Sequence, residues 1–92
     1  MKFTLTHQRA MIGNDINVQV IRENNGLIAL VVTTLDQLPL GEDPLSPPEV
    51  SYTRMFPQAG NAAVGMTHKL SVTATDDKGN EQSSSEIWKD PV

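Results

Sequence analysis

The sequence has no cysteine, so neither a disulfide nor a thiolate metal site can hold it together. That excludes the disulfide-dense secreted scaffolds, though not secretion itself. Aromatic residues are scarce: Phe3, Tyr52, Phe56 and Trp88 are all there are. Positive charge is thin and scattered over Lys2, Arg9, Arg22, Arg54, Lys69, Lys78 and Lys89, and the formal net charge is −4. A nucleic-acid surface needs clustered Lys and Arg to displace counterions from phosphate, and no such stripe emerges. Long apolar runs are missing as well. The longest, Leu27 to Val32, is strand-sized and far short of the roughly 20 residues of a membrane span. The stretch MKFTLTHQRAMIGND lacks the apolar h-region of a signal peptide. The expected location stays broad: cytoplasmic, virion-associated, or excised from a secreted protein, with Met1 either native or the start of such a module.

What the sequence does have is alternation. Phe3 and Leu5 point one way and Thr4 and Thr6 the other. Ile16, Val18 and Val20 alternate with Asn17 and Gln19; Leu70, Val72 and Ala74 alternate with Ser71, Thr73 and Thr75. Val50, Tyr52 and Phe56 share a face interrupted by Arg54. A two-residue period is the mark of half-buried strands, one face on a core and one in water. Leu27 to Leu35 is apolar on both phases, which predicts a central strand covered on both faces or an edge that meets a partner.

The punctuation agrees with strands. Asn24-Asn25-Gly26 is hairpin chemistry, since Asn-Gly supplies the positive φ angles of a tight turn. It predicts a hairpin joining a strand over 16–23 to one over 27–35. Residues 36–49, DQLPLGEDPLSPPE, hold four of the six prolines. Proline lacks the N–H and fixes φ, so this stretch reads as an extended loop or edge. Residues 57–67 read as a small-residue connection. Six or seven short strands at near-regular spacing in 92 residues predict one domain over 1–92. The expected fold is all-β, an immunoglobulin-like two-sheet antiparallel sandwich of about seven strands, with a closed small barrel as the alternative.

The stretch Gly65 to Asn80, GMTHKLSVTATDDKGN, resembles the late strand and corner of bacterial immunoglobulin-like modules, the immunoglobulin-like or fibronectin III-like β-sandwiches. Those commonly carry Gly, then His, then alternating apolar positions, then VTATD and a GN corner. Upstream, LDQLPL stands where such modules often carry an LDG hairpin, with Gln37 at the glycine position. The resemblance covers roughly residues 14–90. It implies a module for spacing, adhesion or attachment in cell-surface proteins, enzyme accessory regions or phage particles. Fold alone does not fix function.

Side-chain chemistry is sparse. The corner DDKGN offers Asp76, Asp77 and Asn80 as calcium oxygens, with Glu81 beside them and Glu86 or Asp90 from elsewhere. The EF-hand spacing is absent, and the same residues are those a hairpin corner wants. The expectation is a plain turn and no cofactor, with calcium as the alternative. His7 and His68 are the only imidazoles, and nothing in their spacing makes a zinc site. His68 precedes an inward strand, which predicts a packed or hydrogen-bonded structural histidine. Without Cys or a G-x-S-x-G elbow, nucleophilic catalysis has no visible seat, and the chain is not expected to be an enzyme. Pro44 and Pro47 form a P-x-x-P whose acidic flanks, Glu42, Asp43 and Glu49, suit a stiff surface loop better than a polyproline ligand. Tyr52 and Trp88 are the candidate contact residues, and Trp88, if exposed, is the one aromatic that carbohydrate could use.

These observations predict a non-catalytic module for attachment or assembly. It would work through a protein partner or self-association at an unpaired edge strand, with the loops 36–49 and 57–67 beside it. The alternative is a small intracellular inhibitor that blocks a hydrolase with its loops.

Overall fold

The computed structural model describes residues 1–23, 26–60 and 66–90. Seven strands follow in chain order: β1 Lys2–Arg9, β2 Asn14–Ile21, β3 Ile28–Leu35, β4 Leu38–Glu49, β5 Ser51–Ala59, β6 Thr67–Asp76 and β7 Glu81–Lys89. They form two antiparallel sheets, β1-β2-β5 and β4-β3-β6-β7. The predicted sandwich is the observed one.

The alternation read in the sequence builds the core. Ile16, Val18 and Val20 from β2 face Ile28, Val31 and Leu35 from β3 and Leu70, Val72 and Ala74 from β6. Tyr52, Phe56 and Ala59 of β5 complete it, with Phe3, Leu5, Leu40, Leu45 and Trp88 packed around them. Each fully buried Val, Leu or Ile contributes about 1.5–3 kcal/mol by leaving water. β3 is a central strand between β4 and β6, as its two-phase apolarity predicts, but it is fully covered on one face only, with Ala29, Leu30, Val32 and Thr34 half-buried on the other. Val50 does not share the inward face of Tyr52 and Phe56. It is half exposed and sits alone between β4 and β5, where the chain passes from one sheet to the other.

One expected pairing is corrected. The strands flanking Asn24-Asn25-Gly26 do not form a hairpin, because β2 lies in the three-stranded sheet and β3 in the four-stranded one. Asn24 and Asn25 themselves lie outside the described residues. β2 buries every second residue, and β3 does so from Val31 onward, past an irregularity between Ile28 and Leu30; opposite sheets let both rows face one core. Of the two readings of 36–49, loop or edge, the edge is the observed one: after the turn at residues 36 and 37, Leu38–Glu49 is the edge strand β4. It pairs with β3 from Leu35↔Leu38 to Ile28↔Glu49 through two irregularities, its prolines lie at the sheet's edge as their missing N–H requires, and the Ser46–Pro47 bond is cis. Of the connection expected over 57–67, residues 57–59 belong to β5 and 61–65 lie outside the described residues.

The sandwich is elongated, 44 × 18 × 18 Å, with two distinct poles. At one, the Met1 ammonium donates to Gln82 Oε1 at 2.7 Å, close to the β6–β7 corner. At the other, Arg9 at the end of β1 meets Asp90 just past β7, at 2.9 Å. β1 and β7 therefore run the same way, side by side, in opposite sheets.

Candidate functional site

The Arg9–Asp90 pole is where strand ends bring ionisable groups together. His68, the second residue of β6, takes the inward phase that continues as Leu70, Val72 and Ala74, and its side chain is fully buried. Its Nδ1 lies 2.6 Å from Asp36 Oδ2 and its Nε2 lies 2.7 Å from Asp90 Oδ2. Asp36 sits in the two-residue turn between β3 and β4, where its second oxygen accepts the Lys69 backbone N–H at 2.8 Å. Asp90, itself 2% exposed, also accepts from Asn14 Nδ2 at 3.3 Å, while its own N–H donates to the Met66 carbonyl. Trp88, the ladder partner of His68, closes the cluster. Its ring stacks on His7 with centroids 4.0 Å apart and leans on His68 at 5.4 Å. His7 Nδ1 in turn lies 3.5 Å from Glu86.

The electrostatics follow from that arrangement. Burial pushes His68 toward the neutral form, but hydrogen bonds to Asp36 and Asp90 outweigh it, so its affinity for a proton is raised above the ordinary value. Burial likewise works against the charged Asp90, and His68, Asn14 and Arg9 together still hold its carboxyl below the usual range. With His68 cationic, two positive and two negative groups balance. Both imidazole nitrogens are committed to carboxylates, so neither is free to take a proton from a substrate.

On the opposite flank, a second polar set joins β4 to β5. The Tyr52 hydroxyl donates to Asp43, and Arg54 Nη1 reaches both Asp43 oxygens at 2.7 and 2.8 Å. Burial, then the hydrogen bond to Asp43, pushes the Tyr52 phenol well up. Tyr52 and Arg54 hold Asp43 low. The Arg54 guanidinium also lies 4.5 Å from the Phe56 ring centroid, a cation–π contact.

The structure scatters the residues singled out from the sequence. Tyr52 is buried with its hydroxyl engaged, so it is not an exposed contact. Trp88 is half-buried between two histidines and offers no open platform. Pro44 is exposed opposite Leu30 in the β3–β4 ladder, and Pro47 is exposed between Pro44 and Glu49 on the same strand, not in a free polyproline segment. At the corner, Asp76 Oδ1 accepts the N–H groups of Lys78 and Asn80, both at 2.9 Å, and Oδ2 accepts from Asn80 Nδ2 at 3.3 Å. Those backbone donors, Asn80 first, pull the Asp76 carboxyl below its usual range against burial. Asp77 Oδ1 accepts the Leu27 N–H at 3.1 Å. Glu86 and Asp90 lie toward the far end of β7 and bring no oxygen to this corner. Among the described residues no group of three or more His, Asp or Glu side chains is placed to hold a metal ion, and no helix is long and apolar enough to cross a membrane.

Sequence reasoning placed His68 inside but missed its partners. Asp36 and Asp90 stand 32 and 22 residues away, and only the topology brings them in.

No protein-family model and no curated protein matches the sequence. Among solved structures, the chain is similar to the fibronectin(III)-like modules of Clostridium thermocellum CbhA, with a TM-score of 0.53 and 23% identity over 99% of this chain and 96% of that one. The class is thus defined by its architecture: a seven-stranded, two-sheet sandwich of the immunoglobulin-like kind. More particularly, the chain has the fold of a fibronectin III-like module.

Proposed function

We propose that the chain is a non-catalytic module of attachment or assembly, of the cell-surface, enzyme-accessory or phage-particle type. One observation carries this reading. In the most elaborate ionisable cluster among the described residues, the His68 ring spends both nitrogens on Asp36 and Asp90, and Asp90 is further engaged by Arg9 and Asn14, which ties β1, β2, β6, the β3–β4 turn and the residue after β7 together. The likeness to fibronectin(III)-like modules of CbhA points the same way.

The surfaces suited to such a role are the lateral edges. β4 carries Pro39, Pro44, Pro47 and Pro48, and β5 carries Pro57; proline removes donors that an added strand would need. β1 and β7 are free of proline and form the neighbouring outer edges of the two sheets. A partner strand adding to either would gain main-chain hydrogen bonds without needing conspicuous side chains.

Two measurements test the proposal. Sedimentation velocity over a wide concentration range, or capture of a partner, should reveal association that proline substitutions along β1 or β7 abolish while circular dichroism stays unchanged. Turnover on a panel of hydrolase substrates that disappears in His68→Gln would overturn it.

A further inference from the structure

The geometry around His68 has a consequence independent of that role. A neutral imidazole carries a single N–H donor, yet carboxylate oxygens stand at both nitrogens, 2.6 and 2.7 Å away. The closed arrangement is therefore that of an imidazolium between two carboxylates. We propose that His68 is a proton-operated latch: charged, it holds the β3–β4 turn against this pole; neutral, it releases Asp36 and opens the apolar groove that the turn borders.

The order of release follows from what else holds each carboxylate. Asp90 is buried, and water cannot readily replace a donor it loses. Asp36 has a side chain 29% exposed, so water can. The remaining proton stays on Nε2, facing Asp90, which Arg9 and Asn14 also grip. Nδ1 then turns a lone pair toward Asp36 Oδ2, and two acceptors in contact repel. The turn is the part able to yield. It is two residues long, and both Asp36 (φ 54°) and Gln37 (φ 67°) hold left-handed backbone angles that neither residue type favours as glycine does. Leu35, Asp36, Leu38, Leu40, Gly60 and Met66 line a groove of about 460 Å³. The His68 ring lies directly behind Gly60, where an added Cβ would come within 3.6 Å of its Cε1.

The charged and titratable groups around the ring come from every packed element: Arg9 and, across Trp88, His7 on β1; Asp36 in the turn; Glu86 on β7 and Asp90 beyond it. On β6 itself the Lys69 side chain is exposed on the opposite phase. Arg9 favours the neutral ring and the two carboxylates favour the charged one.

The test uses the wild-type chain. Long-range proton–nitrogen correlations of the imidazoles resolve His68 from His7 while pH is raised, and amide exchange follows Lys69 and Asp90 in parallel. The expected result is a fall in Lys69 protection of at least about tenfold beyond the intrinsic pH effect, with the midpoint of the His68 titration. Asp90 should keep its protection, and an apolar dye should bind more brightly over the same range. Asp36→Asn should make Lys69 protection independent of the His68 titration. A His68 that stays doubly protonated wherever the fold persists would overturn the latch, as would a neutral His68 with Lys69 still protected. Loss of Asp90 protection before Lys69 would overturn it too.

Discussion

Gln37 occupies a backbone conformation that suits it poorly. Its φ of 67°, following 54° at Asp36, is the pattern of a two-residue hairpin turn between Leu35 and Leu38, and glycine is the residue such a turn prefers at its second position. Gln37→Gly should stabilise the fold by up to about 1 kcal/mol, read as a higher Tm. No change would mean that the greater unfolded-state freedom of glycine offsets the relief of backbone strain. Gly13 is the converse case. At φ 69°, a Cβ there would lie 2.4 Å from the Ala59 carbonyl oxygen, so Gly13→Ala must move either the β1–β2 turn or the end of β5. Chemical denaturation should show a loss of about 2 kcal/mol or more. The misfit at Gln37 was legible only through the resemblance of LDQLPL to modules that carry a hairpin glycine at that position. The need at Gly13 was not, because what forbids a side chain there is a carbonyl 46 positions away, supplied by the fold.

Individual elements show how far the pattern could be read. Inward rows were legible wherever a strand keeps its period, as in β2 and β6, since burial on one face requires every second residue to be apolar. Pairing was less legible. Asn24-Asn25-Gly26 has the composition of a hairpin, but β2 and β3 each find better partners, β5 and β6, and the sequence carries no mark of which sheet a strand will join. The proline-rich stretch became β4 because an edge tolerates missing donors. What binds β4 to β5 beyond apolar contact is the Asp43–Tyr52–Arg54 set. Asp43→Ala should leave the buried Tyr52 hydroxyl without its acceptor and cost about 1–3 kcal/mol. Tyr52→Phe, which keeps the Arg54 contact, should cost nearer 1 kcal/mol. Equal losses in the two variants, by urea unfolding, would show that Arg54 adds nothing to the set.

At the scale of the whole molecule, the charge clusters set the pH range of stability. Asp43, Asp76 and Asp90 bind protons more weakly folded than unfolded. Their contribution is complete above about pH 4 and is lost as pH falls through their lower folded values. His68 binds its proton more strongly folded than unfolded. Its contribution is complete below about pH 6.5 and is lost as pH rises through the higher folded value. Thermal unfolding should therefore show a plateau between about pH 4 and pH 6.5, with a decline on each side. In His68→Gln the decline on the alkaline side should flatten, while the Asp43 and Asp76 share of the acid limb remains. An unchanged alkaline limb would assign it to another group.

The co-directional run of β1 and β7 in opposite sheets has a mechanical corollary. If Lys2 and Lys89 are drawn apart along the 44 Å axis, the load falls parallel to both outer strands and across the hydrogen bonds to β2 and β6, which lie perpendicular to them. Such bonds cannot unzip one after another from a free end. They share the strain, and the module should give way in a single abrupt step at high tension rather than by gradual peeling.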